Sequence, residues 1–375
     1  MPQSGSGQSR PRWCSCLFLL TVGLCAAAFA PGVAVAEPGA AAVAAPRFTV
    51  AGNEVRDPHG QVFKIKGVAI AYGTFAGGDE ANTGQLNFDS VDRDLQRLAG
   101  MGVNLVRVFV TAQDRDERHL GRLDHVVSAA RRAGFVVEIS NSYSGFDESL
   151  PWVGFLAHRY KDDPGVWLSP QNEPNCGVAS DCGNWALWAS QTRRYVRAIR
   201  DAGMLSPIVV DGVWWSWDLT RIDDFSLGDG NVIYAAHRYA NNHATFDAAE
   251  RGSADQQWGD AAAQHAILVE EVGAFNGPGM GNSPEWLRGF LDYAADWVNH
   301  RGGVGAVAFN WHWVDPNTMT HDDGTLTQWG QDFVDHYLNR VPLHSSPTVA
   351  ATPSARAGDV NRLPPAFRSP GVTFG

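Results

Sequence analysis

The sequence predicts an α/β fold, a closed (β/α)8 TIM barrel preceded by a small N-terminal β-hairpin. Three observations carry this. Eight short apolar runs are each bounded by turn residues, amphipathic stretches separate them, and residues 37–340 are the right length for one such barrel. The composition, 44% hydrophobic and 18% charged, excludes a wholly disordered or coiled-coil chain.

Taken in order, Phe48–Val55 turns at Gly52-Asn53 and runs through Asp57-Pro58-His59-Gly60 into Gln61–Phe63, an alternating pattern that reads as the hairpin. The expected strands are Lys64–Ile70, Val103–Val110, Phe135–Ser140, Val166–Ser169, Pro207–Val210, Asn231–Ala236, Ala266–Glu270 and Val304–Phe309. Helical patterns between them include Ser90–Ala99, Leu123–Ala133, Trp185–Ala202 and Pro284–His300. The strands are apolar on both faces, as parallel strands covered by helices must be. An open doubly wound sheet is the competing arrangement. It would carry a glycine-rich phosphate loop after its first strand, and Gly67-Val68-Ala69-Ile70 is not one.

The ends differ from this core. Arg10 and Arg12 precede an apolar run from Trp13 to Ala30, and Ala34-Val35-Ala36 offers small residues before a cleavage point. Residues 1–36 therefore read as a secretory signal peptide, with a permanent anchor as the alternative, since the run is near spanning length. The Pro/Ser/Ala-rich residues 341–375 read as a disordered tail, leaving 37–340 as the barrel domain. Without the five arginines and one aspartate of these ends, 24 basic and 39 acidic residues remain. Such a surface repels phosphate backbones and anionic lipid, so neither nucleic acid nor a membrane is an expected partner after signal cleavage. Cys176 and Cys182 are the two cysteines left, and export predicts that they form a loop disulfide. The chain is expected outside the cell, as a monomer.

Barrels of this kind place their chemistry at the C-terminal ends of the strands. Here those ends carry Arg107, Asn141, Asn172-Glu173-Pro174, Trp214-Trp215-Ser216-Trp217, His237-Arg238-Tyr239, Glu270-Glu271-Val272-Gly273 and Trp311-His312-Trp313. The fourth and seventh strands lie on opposite sides of the barrel, so Glu173 and a strand-seven glutamate can face each other across its mouth. Two such carboxyl groups are the apparatus of glycoside hydrolysis, one giving a proton to the leaving oxygen and the other attacking the anomeric carbon or activating water. No catalytic cysteine, metal-ligand cluster, serine elbow or phosphate loop competes, so neither a cofactor nor a metal is expected.

These motifs resemble glycoside hydrolase family 5, the family of secreted cellulases and β-mannanases. Asn172-Glu173-Pro174, Glu271-Val272-Gly273, His237-x-Tyr239 and Trp311-x-Trp313 carry the resemblance, with Ile65-Lys66-Gly67-Val68 similar to its opening strand and Asp322-Asp323-Gly324 to its closing turn. The resemblance implies a retaining double displacement with Glu173 as acid/base, Asn172 on the sugar 2-hydroxyl, Arg107, His237 and Tyr239 around the nucleophile, and Trp311 under the sugar. Of the adjacent Glu270 and Glu271, the second matches the family's position before an apolar residue and glycine. Strand alternation allows only one to enter the cleft, which leaves Glu270 behind it or on a solvated rim. Many members end strand three in histidine; Asn141 here can hydrogen-bond but carries no charge.

Tryptophan is abundant near the rim, and its ring stacks on sugar faces while its N–H bonds hydroxyls. Trp215 and Trp313, with Trp311, suggest a cleft for several sugars and an endo-acting enzyme on a β-1,4-linked polysaccharide or oligosaccharide. Glucan and mannan stay open. An exo-β-glycosidase, a transglycosylase and a secreted carbohydrate-binding protein without turnover are the rival readings.

Overall fold

The computed structural model describes residues 46–70, 90–113, 115–142, 145–174, 180–240, 243–273, 283–312, 318–321 and 323–342. Residues 1–36, Cys176, Trp313 and the tail beyond Pro342 lie outside them. Eight parallel strands close into a barrel: β3 (Ile65–Ile70), β4 (Leu105–Val110), β5 (Val136–Asn141), β6 (Val166–Ser169), β7 (Ile208–Asp211), β8 (Val232–Tyr239), β9 (Ile267–Gly273) and β10 (Gly305–Ala308), with β10 returning to pair with β3. The fold is a TIM barrel. At the closing seam Gly67 leaves space for Val307, whose methyl would lie 2.6 Å from a Cβ built on Gly67. Among the described residues no helix is long and apolar enough to cross a membrane.

Helices alternate with the strands: α1 (Val91–Gly100), α2 (Glu117–Arg132), α3 (Phe146–Tyr160), α4 (Trp185–Asp201), the short α5 (Val213–Ser216), α6 (Ala248–Ala254), α7 (Pro284–His300) and α8 (Gln328–Phe333). Side-chain caps start several of them. Asp116 accepts from Arg118 and His119 N–H groups, and Asn184, Asp247, Ser283 and Thr327 serve the same purpose for α4, α6, α7 and α8. In α3 buried residues run almost continuously from Trp152 to Ala157, so its sequence shows little helical period.

The hairpin β1 (Thr49–Ala51) and β2 (Glu54–Arg56) forms as expected and plugs the N-terminal end of the barrel. Phe48, Val55 and Phe63 pack with Ile65, Leu105, Val136, Trp167 and Leu268 in an inner apolar cluster. Asn231 at the start of β8 anchors the hairpin by accepting the Val50 N–H at 2.7 Å. A larger outer cluster lies between strands and helices. The lower barrel interior is thus apolar, while its upper half carries Arg107, Glu138, Ser140, Ser169, Asp211, His237 and Glu270, all buried.

β8 and β9 run three residues beyond their expected ends because they pair with each other there, His237 with Glu271 and Tyr239 with Gly273. The register slips between Ala236 and His237, so Glu270 is the extra residue of a β-bulge.

Candidate active site

The bulge revises the expectation of strict alternation on strand seven. Glu270 and Glu271 are both buried and both reach the barrel interior: each contacts Arg107 and His237. They occupy different depths of the network. Glu271 accepts from Arg107 Nη1 and, at 2.6 Å, from the Tyr239 hydroxyl. Glu270 is fully enclosed, 3.2 Å from Arg107 Nε and 3.2 Å from His237 Nε2, and is no solvated rim charge.

Across the mouth, Glu173 leaves β6 on a left-handed backbone, φ 46°, and its N–H donates to Asp211 Oδ2 at 2.7 Å. Its side chain is 30% exposed and one oxygen lies 2.9 Å from His237 Nδ1. The Glu173, His237 and Glu271 ligand-type atoms all fall within 4.8 Å of one another, as do those of Asp211, His237 and Glu270. Such spacing suits a metal ion as well as a hydrogen-bond network, but Arg107 already presents its guanidinium to Glu270 and Glu271. Asn172 stands beside Glu173, and its Oδ1 accepts from Arg107 Nη2 at 2.7 Å. That bond uses the carbonyl end of the amide, leaving the Nδ2 donors for a ligand.

Electrostatics follow from enclosure. Burial alone would lower the His237 pKa, yet Glu271, Asp211, Glu173 and Glu270 surround the ring and hold it well above its ordinary value. Burial, then the neighbouring Glu271 charge, pushes the Tyr239 phenol well up, so it stays a hydrogen-bond donor. Burial and the adjacent Glu270 charge raise Glu138 and Asp211 well above the carboxylate range. Glu270 goes the other way: burial would raise it, but Arg107 and hydrogen bonds from Glu138, Asp211 and His237 hold it well below.

Arg107, Asn172, Glu173, His237, Tyr239 and Glu271 are therefore brought together, whereas other expected site residues are not. Asn141 is buried, its amide donating to Ser149 Oγ at 2.9 Å and to the Pro170 carbonyl at 3.0 Å. Its side chain braces the start of α3 and the end of β6 instead of facing the catalytic group. Trp311 is buried in the outer cluster beside His312, which binds Asp94, so it is no sugar platform. The half-buried ring at the mouth is Phe309, 6.4 Å from the Tyr239 ring and 5.9 Å from that of Phe109. Trp215 does lie on the rim, and it and Trp214 are each 47% exposed. Both sit in left-handed conformations with Ser216, whose buried hydroxyl donates to the Ala235 carbonyl and accepts from Gly212 N–H. Trp313 and Cys176 lie outside the described residues; Cys182 is buried. Sequence reading gave no role to Glu138, Asp211 or Phe309. The available signal was an acid in an otherwise apolar strand, as in Val136-Val137-Glu138-Ile139.

With this geometry in place, comparison with known proteins gives the lineage. The cellulase family, glycosyl hydrolase family 5, matches residues 57–317. The chain belongs to this family. Its relatives include a cellulase of a Thermoanaerobacterium species, 23% identical over 167 residues, which cover 42% of each chain. Endoglucanase A of Evansella cellulosilytica is 28% identical over 47% of this chain and 32% of its own. A major extracellular endoglucanase of Xanthomonas campestris is 23% identical over 74% of this chain and 68% of its own. The chain thus spans less than half the length of the first two. Among solved structures, a β-glucanase of Saccharophagus degradans in complex with cellotetraose superposes with a TM-score of 0.64 at 22% identity, over 77% of this chain and 91% of that one. A hyperthermophilic endocellulase of Pyrococcus horikoshii gives 0.63 at 15% identity, over 77% and 97%. Both likenesses concern the fold.

Proposed function

We propose that this family 5 protein is a retaining endo-β-1,4-glucanase. The observation that carries the reading is the pair Glu173 and Glu271, with carboxyl oxygens within 4.8 Å across the barrel mouth. Retaining glycosidases hold their carboxyl groups roughly 5–5.5 Å apart, whereas inverting ones need roughly 6.5–9.5 Å to admit a water. The relatives' names, cellulase and endoglucanase, favour glucan over mannan.

In the first step Glu271 attacks the anomeric carbon while Glu173 gives its proton to the leaving oxygen. Arg107 and Tyr239 hold one oxygen each of the Glu271 carboxylate, which fixes its line of attack. The Asn172 amide, turned by Arg107, offers its N–H groups to the sugar 2-hydroxyl. In the second step Glu173 takes a proton from water, which displaces Glu271 and restores the original configuration. Phe309 supplies an apolar face at the cleavage point, and Trp214 and Trp215 stack on sugars further along the cleft.

The same reading places the protein outside the cell, with residues 1–36 removed, 37–340 as the catalytic domain, 341–375 as a tail, and a Cys176–Cys182 disulfide. All the site residues come from one barrel, so a monomer suffices.

The test is Glu271→Ala on an activated aryl β-glucoside, with and without azide. Turnover should vanish, and azide should restore it in part by entering the vacated face and giving the inverted glycosyl azide. A Glu271→Ala enzyme with near-normal turnover, or azide rescue in Glu270→Ala instead, would overturn the assignment. Product sizes from soluble β-glucan separate endo from exo action and hydrolysis from transfer.

A further inference from the structure

Beneath the catalytic pair lies a second tier of acids that the double displacement does not use. Glu138, Asp211 and Glu270 come from three strands, are all buried, and meet in the barrel interior. Ligand-type oxygens of Asp211 and Glu270 lie within 4.8 Å of each other, and Glu138 and Glu270 share Arg107 Nε at 2.9 and 3.2 Å. A contact between two carboxyl groups attracts only when one of them carries a proton.

The remaining partners differ among the three acids. Glu138 uses Oε1 to accept from Arg107 Nε at 2.9 Å, while its Oε2 has no N–H donor. Asp211 uses Oδ2 for the Glu173 N–H at 2.7 Å, with His237 Nε2 at 3.4 Å, while its Oδ1 has none. One oxygen of each group is thus left to hold a proton. Glu270 Oε1 likewise has no hydrogen-bond donor, but Glu270 pairs with both cations, Oε1 with Arg107 Nε at 3.2 Å and Oε2 with His237 Nε2 at 3.2 Å, whereas Glu138 pairs with Arg107 and Asp211 with His237. Those cations are the same two that touch the catalytic glutamates on their upper sides: Arg107 contacts Glu271, and His237 contacts Glu173 and Glu271.

We propose that Glu270 is a positioning residue, the single charge of a Glu138–Glu270–Asp211 carboxyl group that anchors Arg107 and His237 from below and keeps His237 an imidazolium. Two cations, Arg107 and His237, then balance two anions, Glu270 and Glu271. The groups facing Glu270 are Arg107 from β4, Glu138 from β5, Asp211 from β7 and His237 from β8. The directions of the shifts agree: Glu138, Asp211 and His237 hold protons more tightly than usual and Glu270 less. The catalytic consequence rests on the glycosidase reading; the protonation pattern does not.

The test compares Glu270→Gln with Glu138→Gln in the full chain. Glu270→Gln keeps the shape and removes the charge. It should lower kcat on the order of 10- to 100-fold with little change in KM. Nitrogen-15 NMR of the His237 ring should show an imidazolium at neutral pH in the wild type, losing its proton at lower pH in Glu270→Gln. Glu138→Gln replaces a group already neutral, so it should cost several-fold less than Glu270→Gln. It should also remove one protonated-carboxyl band from the infrared spectrum at neutral pH. A neutral His237 in the wild type, or a Glu270→Gln enzyme with wild-type kcat and His237 titration, would overturn the proposal. If Glu270→Gln does not fold, the infrared difference between wild type and Glu138→Gln decides. A missing carboxyl band there supports the shared charge, and an unchanged spectrum refutes it. A wild-type protein inactive on every β-glucan would defeat the glycosidase reading while leaving the NMR and infrared outcomes to judge this one.

Discussion

Arg107→Lys keeps a positive charge in the barrel and removes the guanidinium fork, so it separates charge from geometry. The fork works in three directions. Nε faces Glu138 at 2.9 Å and Glu270 at 3.2 Å, Nη1 faces Glu271, and Nη2 donates to Ser140 Oγ at 2.9 Å and Asn172 Oδ1 at 2.7 Å. A lysine ammonium carries its three donors on one atom and cannot stand at the Nε and Nη2 positions together. Seated low, on Glu138 and Glu270, it abandons Glu271 and Asn172. Seated high, it abandons the acids below. Each charge-assisted bond lost is worth roughly 1.5–3 kcal/mol, and the low seat loses two that face the reacting sugar, those to Glu271 and Asn172, besides the one to Ser140. Allowing water at the mouth to recover part of this, the transition state should lose about 3–4 kcal/mol, or on the order of 10²–10³ in kcat/KM. The free Asn172 amide adds to the loss, because nothing then turns its N–H groups toward the sugar. Steady-state kinetics on a soluble β-glucan and an aryl β-glucoside, alongside a denaturant midpoint, measure both quantities. A folded Arg107→Lys enzyme within roughly threefold of wild type, under 1 kcal/mol, would show that the charge alone suffices and refute the argument.

Three more outcomes follow from other parts of the molecule. Raised pKa values at Glu138, Asp211 and His237 mean that the native protein holds protons the unfolded chain has released. Their stabilisation is complete below the unfolded values and fades as pH rises through the folded ones, with each proton contributing a slope on the order of 1 kcal/mol per pH unit. Glu270, depressed, adds the opposite loss on acidification. Urea unfolding at several pH values should therefore show stability falling from mildly acid to alkaline pH, less steeply in Glu138→Gln; a rise over that range would contradict the tier. Phe48→Ala empties the hairpin plug, where the ring packs edge-on against Phe63 at 5.1 Å and Trp167 at 5.3 Å. It should cost about 3–5 kcal/mol of stability while leaving kcat of the folded fraction near wild type, and a large fall in kcat would mean the plug is coupled to the site. Trp215→Ala should raise KM for a long β-glucan by up to about tenfold, with a much smaller effect on a short aryl glycoside. Equal effects on both substrates would place this ring outside the cleft.

Much of the site was legible in one dimension because each barrel strand delivers its end residue to the same rim. Glu173, Glu271, His237, Tyr239, Arg107 and Asn172 needed only strand order and register to be gathered, and short apolar runs supply both. The misplacements share a cause. Asn141 and Trp311 are at strand ends in sequence, but side-chain direction there depends on local backbone that periodicity does not specify. Asn141 turns to Ser149 and Pro170, and Trp311 turns into the outer cluster, leaving Phe309 at the mouth.

By itself the sequence determined the eight-stranded barrel, the hairpin before it and the pairing of two glutamates across the mouth, since apolar period and strand-end chemistry are local properties. Only the tertiary structure decided the fate of Glu270. A one-residue slip in the β8–β9 pairing turns two adjacent glutamates into the same interior, and Glu138 and Asp211 arrive there from strands 132 and 59 residues away along the chain. Whether a buried acid is a charge or a proton donor depends on which cations and acids enclose it. That enclosure exists only once the barrel has closed.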